Sequence, residues 1–170
     1  MVASKAKLAK PEDMATAIGL LAECAGSPGM VGGQVLDIMS QERELSEQEV
    51  LDIQSRKTGA LINAACALGA IAGNASDEQF EAACQFAAGL GLAFQIRDDM
   101  LDVIGNADEF GKPIGSDKDE GKVTYVDLLG LDDCGKLIHE LTEQAVSAVS
   151  DLDQDGFLTA LAESLTERTK

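Results

Sequence analysis

The chain has 170 residues, of which 45% are hydrophobic and none is tryptophan, and its formal net charge is −17 at pH 7. This length fits one domain with a substantial core, and the high alanine content favours helix. The negative charge argues against nucleic acid and anionic membrane as partners, because both would repel it. We find neither a membrane-spanning run nor a signal sequence, and we expect a soluble, cytoplasmic protein.

Every strong periodic signal along the chain is helical, which predicts an all-α fold. Pro11 is typical of a first helical turn, and this helix is expected to reach about Cys24. Residues 26–29 (Gly-Ser-Pro-Gly) break the pattern before a second helix that extends to about Met39.

Two long, apolar helices follow, and each begins with a capping box. The pair Ser46 and Glu49 opens a helix to about residue 72, and the pair Ser76 and Gln79 opens one that ends near residue 105. Helices that are apolar nearly all round are typical of buried, central elements.

The remainder of the chain is predicted to be a loop and two more helices. Residues 106–122 are rich in Gly, Asp and Lys, which indicates a loop, and helices are expected at about 131–150 and 157–168. With no repeat and no linker, we interpret 1–170 as a single all-helical domain.

The helix that ends near residue 105 carries three carboxylates in apolar surroundings. At about 100° per residue, Gln95, Asp98, Asp99 and Asp102 share one face. Burying carboxylates is costly unless positive charge offsets it, so this face predicts a metal site. Oxygen ligands suit Mg²⁺ carrying a phosphate or diphosphate, and a solvated acidic face is the alternative. Two small residues upstream predict open space or a close helix contact: Ala88 and Gly91.

Lysines supply the charge that such a ligand needs. Lys57 lies on an apolar helical stripe and requires a counter-charge or a route to water, the alternative being a lysine that simply reaches solvent. Lys112, Lys118 and Lys122 lie in the loop after the acidic helix, which would let them close over a diphosphate. A solvated surface charge is an equal alternative for each loop lysine.

The cysteines give no sign of a metal site or a disulfide framework. Cys24, Cys66, Cys84 and Cys134 lack the paired spacings of a zinc site. We therefore expect reduced thiols in the core.

Four motifs occur in one order: GMVGGQ at 29–34, KTGALI at 57–62, GLAFQ at 91–95 followed by DDMLD at 98–102, and a loop from GK at 111–112 to GKVTY at 121–125. On these motifs the chain resembles the C-terminal half of the trans-polyprenyl diphosphate synthases, most closely the bacterial farnesyl diphosphate synthases. The resemblance covers essentially the whole chain.

The resemblance implies a partial helical bundle of the isoprenoid synthase type and a Mg²⁺-dependent prenyltransferase. In that reaction an allylic diphosphate, held by Mg²⁺ between two aspartate-rich motifs, ionises to a carbocation, isopentenyl diphosphate attacks, and a proton is lost. The implied metal ligands are Asp98, Asp99 and Asp102, with Asp98 foremost. The implied diphosphate ligands are Lys57, Lys112 and Lys122. The implied catalytic residues are Lys57, Thr58 and Gln95, the last two beside the developing cation.

One part of the family pattern is missing from the sequence. The first aspartate-rich motif has two acids, a third acid and an arginine pair, whereas the only other adjacent aspartates, Asp132 and Asp133, are followed by Cys-Gly-Lys. We therefore predict little or no condensation activity for this chain alone.

Three explanations of the half-length pattern stay open: a fragment of a longer protein, one subunit of a split enzyme, or a degenerate homologue. We expect a homodimer or association with a chain that supplies the missing half, because a partial bundle exposes apolar faces. The alternative function is a non-catalytic helical subunit, or a diphosphate-binding partner of a prenyltransferase.

A calcium loop is a further alternative at residues 151–158. Acids at its first, third and fifth positions and Gly156 at its sixth match an EF-hand, but Ala162 occupies the position of the required bidentate glutamate. The default interpretation is a polar connector with a helix cap.

Overall fold

The computed structural model describes residues 10–40, 45–104 and 123–168. Every regular element in these ranges is helical, and the all-α prediction is confirmed. The α-helices are α1 (Pro11–Ala25), α2 (Met30–Met39), α3 (Glu47–Gln54), α4 (Ala60–Ala72), α5 (Asp77–Ile104), α6 (Tyr125–Leu129), α7 (Leu131–Ala148) and α8 (Phe157–Thr166), with a π-helical segment, Ser55–Gly59, between α3 and α4.

Local capping explains where the two predicted long helices begin. The Ser46 N–H donates to Glu49 Oε2 at 3.0 Å while the Glu49 N–H donates to Ser46 Oγ at 3.4 Å. Ser76 and Gln79 repeat this reciprocal pattern at the start of α5, at 2.9 and 3.3 Å. Both capping boxes were predicted, and both satisfy backbone donors that a helix start leaves unpaired.

The structure departs from the sequence-based expectation in two places. The helix predicted to run from Ser46 to Ala72 is divided by the π-helical segment, and the short helix α6 was not predicted. A capping box between Thr124 and Asp127 opens α6, and its Thr-x-x-Asp spacing is visible in the sequence. The predicted loop at 106–122 lies outside the described residues.

Helix α5 lies at the centre of the fold. One core cluster joins it to α3, α6 and α7: Val50, Ala93, Ile96, Met100, Tyr125, Cys134 and Ile138. A second cluster joins it to α7 and α8: Phe86, Leu90, Ala145, Val149 and Ala162. The prediction of a buried central helix therefore holds for α5. In α4, by contrast, only Ala64 and Ala67 have less than a tenth of their surface exposed.

Helices α1 and α2 lie at the edge and expose apolar side chains. The exposed ones are Ile18, Leu21, Val31, Val35, Ile38 and Met39. By length and composition alone the stretch Pro11–Met39 would be apolar enough to cross a membrane. The structure divides it into helices of 15 and 10 residues, each shorter than the roughly 20 residues that a span requires.

Candidate functional site

The predicted site begins where the helix between Ser46 and Ala72 changes its winding. Residues Ser55–Gly59 form a π-helix, and this segment contains both Lys57 and Thr58. A π-helical turn inserts extra backbone and so changes the direction in which its side chains point. Such turns occur often at functional sites, and the π-helical segment therefore supports a functional site at this position.

Lys57 has the counter-charge that its apolar stripe required. Its Nζ donates to Asp37 Oδ2 at 2.7 Å, and the two side chains are 29% and 19% exposed. Gly33, one turn before Asp37 on α2, lies against the backbone of Lys57, where an added Cβ would be 2.3 Å from the Lys57 nitrogen. Helix α2 thus contacts both the main chain and the ammonium of Lys57.

Thr58 and Gln95 were predicted to act together, and the structure joins them directly. Thr58 Oγ1 donates to Gln95 Oε1 at 2.9 Å, and Gln95 Nε2 donates to Asp99 Oδ1 at 3.2 Å. This chain of hydrogen bonds fixes the orientation of the Gln95 amide. The π-helical segment and α5 are therefore linked by polar contacts at this point.

Asp99 is a buried hub, with only 3% of its surface exposed. Besides Gln95, it accepts hydrogen bonds on Oδ2 from Gln54 Nε2 at 3.3 Å and from the Tyr125 backbone N–H at 2.9 Å. These donors come from α3, α5 and α6, so the carboxylate connects three helices. Hydrogen bonds to the ionised form compensate for part of its desolvation.

The other two predicted metal ligands point to different surroundings. Asp98 pairs with Arg168, whose guanidinium also lies 3.9 Å from the centre of the Phe94 ring. Asp102 is buried, with 7% of its surface exposed. Within residues 10–40, 45–104 and 123–168, no three acidic, histidine or cysteine side chains come together as a group that could hold a metal ion.

The donor set is nonetheless compatible with a hard divalent cation. The donors near α5 are carboxylate, amide and hydroxyl oxygens, which Mg²⁺ prefers. Asp98 is the most exposed of the three acids, at 37% of its side chain, but its carboxylate is paired with Arg168, which a metal ion would have to displace. Metal binding by Asp98, Asp99 and Asp102 stays a prediction.

Two cavities adjoin at this site, and Gln54 and Gln95 line both. The smaller, of about 70 Å³, is lined mostly by polar side chains, including Asp37, Lys57 and Asp99. The larger, of about 630 Å³, lies between α3–α4 and α5. Small and apolar residues such as Leu51, Ala88 and Leu92 line part of it, and polar residues, including Asp52 and Glu81, line the rest. A charged compartment therefore opens beside a larger, less polar one.

The small residues of α5 lie beside open space, which is one of the two predicted outcomes. Ala88 and Gly91 line the larger cavity. Gly91 also faces the π-helical segment, where an added Cβ would be in ordinary contact at 3.4 Å from the Gly59 Cα, so the approach of α5 does not depend on this glycine.

Sequence reasoning missed Asp37 and Gln54. Asp37 is a single acid within the apolar run 35–39, and such an isolated charge could have been matched to the isolated charge of Lys57. Gln54 carried no comparable signal. Its Oε1 is buried and has no hydrogen-bond partner among the described atoms. The loop lysines Lys112, Lys118 and Lys122 lie outside the described residues.

The calcium-loop alternative is not favoured by the geometry. The Asp153 carboxylate accepts hydrogen bonds from the backbone N–H groups of Leu158 and Thr159, both at 2.8 Å, and so caps α8. Although partial burial acts in the opposite direction, these bonds and that from the Thr159 hydroxyl lower the pKa of Asp153. The default interpretation, a connector with a helix cap, describes this segment.

The four cysteines are free thiols, and of these only Cys134 lies in the core as expected, while Cys24, Cys66 and Cys84 are half-buried. Burial is the largest cause that raises the pKa of each thiol. Cys134 is fully buried, and the nearby Asp99 and Asp133 raise its pKa further.

Comparison with known proteins agrees with the resemblance seen in the motifs. The model of the polyprenyl synthetase family matches residues 2–155. The chain is 40% identical over 153 residues to a farnesyl diphosphate synthase of Haemophilus influenzae, covering 89% of this chain and 52% of that protein. It is 35% identical over 163 residues to a heterodimeric geranylgeranyl pyrophosphate synthase large subunit 1 of Arabidopsis thaliana, covering 94% of this chain and 44% of that one.

The fold is shared with solved structures of the same kind. A geranyltransferase from Helicobacter pylori, solved with magnesium and isoprenyl diphosphate, superposes with a TM-score of 0.76 at 28% identity and covers 97% of this chain and 54% of that one. The chain thus spans about half the length of the relatives that it matches. It belongs to the polyprenyl synthetase family.

Proposed function

We propose that this chain forms the diphosphate-holding half of a Mg²⁺-dependent prenyltransferase that condenses an allylic diphosphate with isopentenyl diphosphate. The observation that carries the proposal is the junction of the two cavities at Gln54 and Gln95. An allylic diphosphate has a charged head and an apolar tail, and the two compartments match these two parts in polarity.

The charged compartment supplies positions for the diphosphate. Lys57 lies in it, and by resemblance Lys112 and Lys122 would join from the loop. Ionisation of the carbon–oxygen bond leaves additional negative charge on the diphosphate, which cations stabilise more in the transition state than in the ground state. Bound Mg²⁺, with Asp98, Asp99 and Asp102 as the proposed ligands, would supply this electrophilic stabilisation.

Thr58 and Gln95 would face the reacting carbon of the allylic group. The Gln95 carbonyl oxygen accepts from Thr58 and its amide donates to Asp99, so the negative end of the amide dipole is fixed in one direction. A fixed oxygen can stabilise a nearby carbocation without having to reorient, and the apolar part of the larger cavity, at Leu51, Ala88 and Leu92, would limit the approach of water.

The missing first motif leads us to propose that the chain is inactive alone. Asp132 and Asp133 lie in the first turn of α7 at exposed positions, Asp133 pairs with Lys136 at 2.7 Å, and neither the third acid nor the arginine pair follows them. We propose that a second polypeptide supplies the acids and arginines. The exposed apolar side chains of α1 and α2 support association with another chain, including a second copy.

The test measures product formed from geranyl diphosphate and isopentenyl diphosphate with Mg²⁺. We expect no product from the chain alone and product after addition of a polypeptide that carries the first aspartate-rich motif and its arginines. Lys57→Ala should abolish the complemented activity, while Lys136→Ala, which removes an exposed lysine, should leave it unchanged. Family-level turnover by the isolated chain would contradict the proposed inactivity.

A non-catalytic subunit is the second candidate. A relative in Arabidopsis is named as the large subunit of a heterodimeric synthase, which favours association with a second, different chain. On this proposal the chain would bind a complete prenyltransferase and alter its rate. The complementation experiment separates the catalytic half from the non-catalytic subunit. A non-catalytic subunit would restore no activity to an incomplete partner, and Lys57→Ala would not change the effect of the chain on the rate of a complete prenyltransferase.

A further inference from the structure

Helix α2 holds Lys57 through two contacts on one face. Gly33 lies against the Lys57 backbone, and an added Cβ would be 2.7 Å from the Lys57 Cα. Asp37, four residues later and therefore on the same face, binds the Lys57 ammonium at 2.7 Å. Main chain and side chain are both fixed, so the ammonium cannot leave Asp37 through a simple shift of the segment.

This pairing changes what Lys57 can do for an anion. Of the described residues that line the smaller cavity, Asp37 and Asp99 are acidic and Lys57 is basic, a formal sum of −1. Both side chains of the Lys57–Asp37 pair are less than a third exposed, so water screens the pair only partly. An anion that approaches Lys57 meets an ammonium whose charge is already compensated, with a second carboxylate nearby.

We propose that Asp37 makes anion binding at Lys57 conditional on a divalent cation, which must offset the two carboxylates before the ammonium can turn to a diphosphate. Asp37 is then a positioning residue that acts through Lys57. The inference rests on the proposed function, since it concerns the same diphosphate site. Its consequence is that a free diphosphate is excluded and only the cation-bound form is accepted.

The experiment measures the binding of inorganic pyrophosphate to the full chain by calorimetry, first in EDTA and then with Mg²⁺. The wild type should bind weakly or not at all in EDTA. Asp37→Asn should bind at least about tenfold more tightly in EDTA, since close charges at partly buried sites interact by more than the equivalent of a tenfold change in affinity. Added Mg²⁺ should then improve binding by the variant less than binding by the wild type.

Matched variants separate the local effect from the change in net charge. Asp133→Asn removes the partner of Lys136 in an exposed ion pair and should leave pyrophosphate binding in EDTA unchanged. Asp37→Glu keeps the charge and should behave like the wild type. In the Lys57→Ala background Asp37→Asn should bring no gain, because the effect passes through the ammonium. Asp37→Ser serves as a second neutral variant and should show the same gain, with folding checked by circular dichroism.

Two different results would count against two different statements. If neither neutral variant gains affinity in EDTA, or if the gain persists without Lys57, the conditional role of Asp37 is wrong. If the wild type binds pyrophosphate only with Mg²⁺ and both neutral variants gain metal-free binding through Lys57, but the complementation experiment yields no product, the role of Asp37 is supported and the proposed function fails.

Discussion

Replacement of Asp99 by alanine tests whether this buried carboxylate holds α3, α5 and α6 together. Asp99 accepts hydrogen bonds from Gln54, Gln95 and the Tyr125 backbone N–H. Tyr125 is itself 3% exposed, so removal of the carboxylate leaves its N–H in a dry environment. The expected result is a loss of stability localised to the junction of these helices.

The magnitude follows from the donors left without a partner. One buried, unsatisfied N–H costs about 1–3 kcal/mol, and the Gln54 and Gln95 amides lose bonds to a charged acceptor as well. Removal of a desolvated carboxylate offsets part of this cost. We therefore expect a loss of about 2–3 kcal/mol, which for a chain of this length lowers Tm by roughly 4–12 °C.

Urea denaturation followed by circular dichroism measures this loss, and Asp133→Ala is the matched control. Asp133 carries the same charge, but its ion pair with Lys136 is exposed, and such pairs contribute about 0–1 kcal/mol. Asp99→Asn should be milder than Asp99→Ala, because the Gln95 amide can rotate and Thr58 can accept in place of donating. Equal unfolding midpoints for the two alanine variants would refute the buried-hub interpretation.

Three further predictions concern other parts of the fold. Gly33→Ala should destabilise the chain by about 1–3 kcal/mol, because its Cβ would overlap the Lys57 backbone. Gly19→Ala is the control: an added Cβ has no atom within 4 Å there, and the substitution should stabilise the helix by up to about 1 kcal/mol. Equal urea midpoints for the two variants would contradict the close contact at Gly33. Alkylation of the folded chain should modify the three half-buried cysteines first and Cys134 last, because Cys134 is fully buried and the pKa of its thiol is raised. Mass spectrometry measures this order, and early modification of Cys134 would show that this part of the core opens readily. Because the pKa of Asp153 is lowered in the folded state, the stability that it contributes is present above the unfolded-state pKa of about 3.9 and is lost as pH falls through the lower folded value. Asp153→Asn should therefore lower Tm at pH 6, and its difference from the wild type should shrink as pH falls below about 3.9; a Tm difference independent of pH would exclude the ionised cap.

The candidate site could be predicted in part because its residues carry their chemistry in local patterns. Helical geometry predicted a common face for Gln95 and the three acids, but the structure joins Gln95 to Asp99 and pairs Asp98 with Arg168. The bond between Thr58 and Gln95 crosses 37 positions of sequence; the resemblance placed both residues beside the developing cation but did not predict this bond. The partner of Lys57 was not predicted, because Asp37 lies 20 residues away on another helix and nothing local connects them.

The sequence alone determined the helical class, the capping boxes at Ser46 and Ser76 and the order of the motifs, because periodicity and caps depend on residues a few positions apart. The tertiary structure decided the division of a predicted helix by the π-helical segment, the pairing of Lys57 with Asp37 and the different surroundings of Asp98 and Asp99. These features depend on which helix faces lie against one another, and Gly33 is the residue whose missing side chain lets α2 approach the segment Ser55–Gly59 this closely.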